Sequence, residues 1–226
     1  TNTVLTSSSQ VNVVDSNGNK YVLNGGTTYD SLTRYSLSNG TYTLTNIPSD
    51  HPLAILNSGK ESNISYGPSS DPIVINVSGG SYSSPYYNFD GLGENETIDT
   101  YKFVPGKTYN FVANNISSSH PFYIKVNGSY TNQIVGTSGT ISFTIPVSHS
   151  LTAGDFFYQC VAHSNMKKNF NLEKLTKTLT DTTANGEYTF YYGDITVTVT
   201  DYFGSVSLYC YNHGYMGGEN LLQYSS

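Results

Sequence analysis

Apolar and polar residues alternate with a period of two in several stretches of this 226-residue chain. The clearest stretches are TYTLT (41–45), TISFTI (140–145) and DITVTVT (194–200). Alternation of this kind is typical of strands that bury one face. The nearest approach to a helical stripe, KNFNLEKL (168–175), is interpreted as a last strand followed by a linker. The pattern predicts an all-β protein.

Two long segments repeat one another, GTYTLTNIPSDHPLAILNSG (40–59) and GKTYNFVANNISSSHPFYIKVNG (106–128). Each contains a strand that begins near a tyrosine, then Asn-Ile, three variable residues and His-Pro, and then an apolar strand that ends in a turn. The matched residues are Asn46 and Asn115, His51 and His120, Pro52 and Pro121, and Ile55 and Ile124. A repeat of this length indicates two copies of one structural unit.

The only two cysteines and the only two methionines of the chain also follow a shared pattern. FFYQCVAHSNMK and SLYCYNHGYMGG both contain Cys-x-x-His-x-x-Met, and the six residues concerned are Cys160, His163, Met166, Cys210, His213 and Met216. Singly, each residue has an ordinary explanation, such as a core histidine, a gap-filling methionine or a Cys160–Cys210 disulfide. None of these explains why the spacing occurs twice.

The repeated elements occur in the order His51, His120, Cys160, Cys210, which predicts nested units. We expect an inserted domain over 71–177, an outer domain split into 11–70 and 178–226, and a linker or extended arm over 1–10. Insertion into a surface loop is tolerated when the two ends of the insert lie close together. The alternative is a swap in which His51 faces Cys160 and His120 faces Cys210.

Composition narrows the partners and the cellular location that we expect for this protein. Charged residues are only 12% of the chain and the net charge is −6, so a nucleic-acid partner is not expected. No apolar run approaches the length of a membrane span. The low charge and the 21 tyrosines favour an extracellular or virion-surface protein. Because the chain starts at Thr1, we expect a mature fragment or a piece of a longer protein.

The repeated residues form two candidate ligand sets. They are His120, Cys160, His163 and Met166 in the inserted domain, and His51, Cys210, His213 and Met216 in the outer domain. A thiolate with two imidazoles and a thioether is a soft set that suits copper. Magnesium and calcium prefer oxygen ligands, and structural zinc more usually takes further Cys or His. Asp50, beside His51, is a candidate to alter the outer set.

At these residues the sequence resembles the cupredoxin, or blue-copper, family. The resemblance rests on Asn, four residues, His, and much later Cys-x-x-His-x-x-Met, and it covers nearly the whole chain. It implies two Greek-key β-sandwiches, one inserted in a loop of the other, with up to two type 1 copper ions. In each site the Cys thiolate would carry the electronic coupling, the two histidines would complete a trigonal plane and the methionine would be the weak axial ligand. It further implies that Asn46 and Asn115 brace the Cys loops by hydrogen bonds.

A second, less specific resemblance is to cupredoxin-like modules of marine phage structural proteins, carried by YCYNHGYMGGEN and YYGDITVTVT. We therefore expect a structural or surface-display module of a virion or extracellular appendage, assembled with other copies of itself or a larger structure. The alternatives are an electron-transfer protein with a redox partner and a metal-free adhesion module. An enzyme is not expected, because copper oxidases need further His-only centres and only His149 remains outside the two sets.

Overall fold

The computed structural model describes residues 1–146 and 154–226, so His149 lies outside the described residues. The described residues form strands and turns without a helix, and the prediction of an all-β protein is confirmed. The chain divides into two compact units, called here the inner unit (Ser70–Glu173) and the outer unit (Thr1–Ser69 with Lys174–Ser226). The sequence placed these boundaries at 71 and 177.

Twenty-four strands are present in the described residues. The first part of the outer unit contains β1 (Asn2–Val4), β2 (Ser8–Gln10), β3 (Asn12–Asp15), β4 (Asn19–Val22), β5 (Arg34–Leu37), β6 (Gly40–Ile47), β7 (Leu53–Leu56) and β8 (Ile64–Pro68). The inner unit contains β9 (Ile73–Gly79), β10 (Tyr87–Asp90), β11 (Lys102–Phe103), β12 (Thr108–Ile116), β13 (Phe122–Val126), β14 (Ser129–Tyr130), β15 (Thr140–Thr144), β16 (Phe156–Cys160), β17 (Lys167–Asn169) and β18 (Asn171–Leu172). The second part of the outer unit contains β19 (Thr176–Thr180), β20 (Asn185–Thr189), β21 (Gly193–Val199), β22 (Ser205–Cys210), β23 (Gly214–Tyr215) and β24 (Leu222–Tyr224).

The inner unit contains two four-stranded sheets, in the orders β10-β9-β12-β15 and β14-β13-β16-β17, and a two-stranded sheet of β11 and β18. One hydrophobic core takes side chains from both sheets, among them Phe111 on β12, Phe122 on β13 and Tyr158 on β16. Phe103, on the short strand β11, is completely buried among aromatic rings. The alternation seen in the sequence of β15 therefore reflects one face packed into this core.

The outer unit repeats the strand relations of the inner one. In the outer unit β2 is parallel to β6, β6 is antiparallel to β21, and β7 is antiparallel to β22. In the inner unit β9 is parallel to β12, β12 is antiparallel to β15, and β13 is antiparallel to β16. The strands that lead to the two His-Pro pairs and to the two cysteines thus occupy equivalent places in both units.

Residues 1–10, which the sequence predicts to be a linker or extended arm, form two short paired strands of the outer unit. Strand β1 pairs with β5 and strand β2 pairs with β6, both in parallel, and Leu5 and Ser9 are buried between exposed neighbours. The polar composition of TNTVLTSSSQ hid this pairing, because side chains on an edge strand are largely exposed and carry little periodic signal. The segment belongs to the outer unit.

In the described part of the chain there is no helix of the length and hydropathy needed to cross a membrane.

Several buried tyrosines predict a loss of stability in alkali. Burial raises the pKa of Tyr191 from its usual value of about 10 to about 12. Above pH 10 the unfolded chain releases this proton while the folded protein keeps it, so the unfolded state binds fewer protons and the free energy of unfolding falls as pH rises. We expect the urea midpoint to be constant from pH 8 to 9.5 and to drop by pH 11, with a smaller drop in Tyr191→Phe. An equal drop in both proteins would contradict this assignment.

Candidate metal centres

The inner unit brings together His120, Cys160 and His163. Cys160 is the last residue of β16 and pairs with Phe122, which follows the His120-Pro121 pair at the start of β13. The Cys160 Sγ lies 3.7 Å from His120 Nδ1 and 3.5 Å from His163 Nδ1, and the two Nδ1 atoms are 3.2 Å apart. Cys160 is fully buried, His120 is buried and His163 is half-buried. These atoms are close enough to share one metal ion.

The outer unit repeats this arrangement with His51, Cys210 and His213. Cys210 Sγ lies 3.8 Å from His51 Nδ1 and 3.7 Å from His213 Nδ1, although His51 and Cys210 are 159 residues apart in sequence. His51 and Cys210 are buried, whereas His213 is exposed. The structure therefore has the nested pairing, and the swapped alternative, His51 with Cys160, is wrong.

The two cysteines are free, so the disulfide alternative does not describe this structure. Each group that could hold a metal ion consists of one thiol and two imidazole nitrogens, and no carboxylate belongs to either group. Asp50 lies beside the outer group, with its carboxylate 3.6 Å from His51 Nε2, on the opposite side of the ring from Nδ1. A thiolate with two imidazoles is a donor set for a soft or borderline transition-metal ion, and both units offer the same set.

Backbone hydrogen bonds hold the loops that carry the ligands. The amide after each cysteine donates to the proline carbonyl of the His-Pro pair, from Val161 to Pro121 and from Tyr211 to Pro52, both at 2.9 Å. In the inner loop the Cys160 amide donates to the Met166 carbonyl, which closes a tight turn around His163. The spacing Cys-x-x-His is therefore fixed by a turn at the end of a strand, which is why it recurs in both units.

The two methionines are buried next to these turns, with exposed fractions of 1% for Met166 and 2% for Met216. The Met166 amide donates to the His163 carbonyl, and the Met216 carbonyl accepts from the Tyr21 amide. Both side chains thus belong to the interior of their own unit. Ligation by their sulfur atoms stays a prediction.

Asn46 and Asn115, which are expected to brace the Cys loops, share an unusual backbone conformation, and the bracing hydrogen bonds stay a prediction. Both are exposed, and both adopt a left-handed backbone conformation, with φ of 60° and 70°. Asparagine tolerates this conformation better than other residues with a side chain. Each lies just before the end of its strand, where the regular pairing shifts, as between Ala113 and Ile116. The repeated Asn-Ile therefore marks a bend that leads into the His-Pro loop.

Two buried tyrosines near the ligands were missed by the sequence analysis. The Tyr21 hydroxyl donates to the His51 carbonyl at 2.8 Å, and the Tyr87 hydroxyl donates to the His120 carbonyl at 3.0 Å. Burial raises the pKa of Tyr87 well above its usual value, and its hydrogen bond with the Cys160 thiol adds to the increase. Burial raises the pKa of Tyr21 as well, with a further contribution from Cys210. Each unit thus holds a buried tyrosine whose hydroxyl donates to the carbonyl of its buried histidine.

A repeat in the sequence could have found these tyrosines. Tyr21 begins YVLNG (21–25) and Tyr87 begins YNFDG (87–91), which share Tyr, an apolar residue two positions later, and Asn or Asp followed by Gly. Both glycines have positive φ, 68° at Gly25 and 108° at Gly91. The motif is short and lies far from the His-Pro segments, so it is visible only once the two units are aligned.

The tyrosine hydroxyls give a direct prediction for stability. Tyr21→Phe and Tyr87→Phe should each lower the free energy of unfolding by about 1–3 kcal/mol, because a buried carbonyl loses its donor. Urea denaturation of the metal-free protein would measure this loss. Tyr130→Phe is the matched control, since Tyr130 is half-exposed and its change should stay within about 0.5 kcal/mol. Equal losses in all three variants would contradict a specific role for the buried pair.

Comparison with known proteins gives no relative from which a function could be transferred. No protein family model matches the sequence, and no curated protein matches it. A functional assignment therefore depends on the chemistry of the two His–Cys–His groups.

Proposed function

We propose that this protein is a copper-binding structural module made of two nested cupredoxin-like Greek-key sandwiches, each with one type 1 site. The observation that carries the proposal is the convergence of one buried thiol and two imidazole Nδ1 atoms within 3.8 Å in both units. Support for the sandwich comes from the inner unit, where two sheets contribute to one core.

The inner site would be held by His120, Cys160 and His163, and the outer site by His51, Cys210 and His213, with Met166 and Met216 as the weak axial ligands. Bound copper would supply a one-electron redox couple and a bond that links the ligand loops. The chain itself supplies a buried thiol, histidines oriented with Nδ1 toward it, and tyrosine hydroxyls that fix the histidine carbonyls. The proposal includes no catalysis.

A structural role is favoured by where the ligands lie in the chain. His51 and Cys210 are separated by 159 residues, and the outer unit is formed by two separate segments of chain. A bond between such distant residues restricts the unfolded chain more than a bond between neighbours does. Because ligand sites rarely persist in an unfolded chain, the free energy of metal binding stabilises the fold. We infer a display or scaffold module on a virion or extracellular appendage, working with copies of itself.

Electron transfer is the second candidate, and one observation favours it. His213 is exposed in a loop between two half-buried tyrosines, Tyr211 and Tyr215, so an outer copper ion would have a ligand at the surface. A surface ligand shortens the path to a redox partner. The inner site would present less ligand surface to a redox partner, because His163 is half-buried.

Thermal unfolding with and without copper tests the structural role, and redox cycling of the bound copper tests electron transfer. For a structural site, free copper at about 1,000 times its dissociation constant should add about 4 kcal/mol per site. For units of this size this corresponds to an increase in Tm of about 10 °C or more. Unfolding that is unchanged by bound copper would contradict the structural role, and fast reduction and reoxidation of that copper by a diffusible carrier would then favour electron transfer.

A further inference from the structure

An exposed tyrosine covers the inner site. Tyr82 is 64% exposed, yet its hydroxyl lies 3.0 Å from His163 Nε2. Its ring makes edge contacts with the imidazole rings of both inner histidines, with centroid distances of 5.0 Å to His120 and 5.1 Å to His163. One residue thus contacts both imidazoles of the inner site from the solvent side.

The loop that carries Tyr82 is fixed against the site. The Ser117 amide donates to the Gly79 carbonyl at 2.7 Å, and the Tyr158 hydroxyl donates to the Pro85 carbonyl at 2.7 Å. Gly80 has a φ of 124°, and a Cβ at this position would lie 2.9 Å from the His120 Cβ. The loop therefore approaches His120 more closely than a residue with a side chain would allow, and the position of Tyr82 follows from it.

The outer site differs from the inner site in the exposure of its second histidine. His213, the equivalent of His163, is exposed. In the outer site the Asp50 carboxylate lies beside the His51 ring. The side-chain amide of Asn212 donates a hydrogen bond to the Asp50 backbone carbonyl. The two sites therefore share a donor set but differ in what covers the second histidine.

We propose that Tyr82 is a positioning residue that holds His163 in place and slows metal exchange at the inner site, leaving the outer site the faster of the two. This inference rests on the proposed copper function. Because His163 Nδ1 faces the thiol, its Nε2 points toward Tyr82, and the Nε2–H donates to the tyrosine oxygen when Nδ1 binds a metal. Rotation of the ring away from the metal must break this hydrogen bond and separate the ring contacts.

Metal release to a chelator tests the inference in the full chain. The protein is loaded with Cu(I) and mixed with excess chromogenic Cu(I) chelator, with Cys210→Ser used to observe the inner site alone and Cys160→Ser to observe the outer site. We expect Tyr82→Phe to speed release from the inner site about 5–10-fold, the equivalent of one hydrogen bond, and Tyr82→Ala to speed it further. Release from the outer site should not change.

Tyr130→Ala is the matched control, because Tyr130 is an exposed tyrosine of the same unit that stacks on Tyr123. An inner release rate that is equal in wild-type protein and Tyr82→Phe would overturn the inference. A rate increase of the same size in Tyr130→Ala would overturn it too, because it would show a general loosening of the unit.

A metal-free measurement keeps this inference separate from the copper function. In the metal-free protein, Tyr82→Phe should shift the ¹⁵N resonance of His163 Nε2 and leave that of His213 Nε2 unchanged. An unshifted His163 resonance would overturn the contact itself. If the wild-type protein binds no Cu(I), the proposed function fails, while the ¹⁵N spectra still decide whether Tyr82 holds His163.

Discussion

Cys160→Ser is expected to remove one of two bound copper ions and to leave the other, and Cys210→Ser is expected to do the converse. Each thiol is fully buried, and two imidazole nitrogens lie within 3.8 Å of it. Serine keeps the size of the side chain but replaces soft sulfur with a hard oxygen that is a poor ligand for copper. We expect the visible thiolate-to-copper absorption to fall to about half in each variant and to vanish in the double variant.

The two variants are controls for each other, because each unit forms its own compact body with its own ligands. Metal analysis after gel filtration should give one copper ion per chain for either single variant. Loss of both copper ions in one single variant would show that the two sites depend on one another. That result would contradict the separate sites described here.

Phe103→Ala should have the largest effect on stability in the inner unit, about 3–5 kcal/mol. Its ring is fully buried, with centroid distances of 4.6 Å to Phe170, 4.7 Å to Tyr109 and 5.4 Å to Phe156. Removing it leaves a cavity that the surrounding aromatic rings cannot easily fill. Urea denaturation followed by tyrosine fluorescence would measure the change.

Val74→Ala is the control for this prediction, since Val74 lies on β9 of the same unit and is 49% exposed. Its effect should remain within about 0.5 kcal/mol. The proposed outer copper site should keep its absorption in Phe103→Ala, because His51, Cys210 and His213 all belong to the outer unit. If Phe103→Ala lowered the free energy of unfolding by no more than Val74→Ala does, the aromatic core would not be what stabilises the inner unit.

Strong local patterns allowed the all-β class and the two His–Cys–His groups to be predicted from sequence. The strands Thr140–Thr144 and Gly193–Val199 alternate clearly because one face packs into a core. The cysteine turns keep a fixed spacing because a turn at the end of a strand allows only a few residues between Cys160 and His163. Sequence order favoured the nested pairing over the swapped one, and the contacts of the two cysteines decided between them.

Other features depended on contacts between distant parts of the chain. Strand β1 pairs with residues more than thirty positions away, and its exposed side chains show no alternation. Tyr82 reaches His163 across 81 residues, and nothing in GGSYSSPYY distinguishes it from the other tyrosines. Asn46 and Asn115 were recognised as a repeat. The left-handed backbone conformation that they share could not be predicted from that repeat.

The most direct test of the copper assignment is a titration of the metal-free, reduced wild-type protein with Cu(II), followed by visible absorption, electron paramagnetic resonance and metal analysis. The account predicts two equivalents of copper per chain, each with the intense visible absorption of a copper–thiolate bond. Intact protein with both thiols free but without this absorption would contradict the assignment, and the two groups would then be side-chain clusters of a metal-free fold.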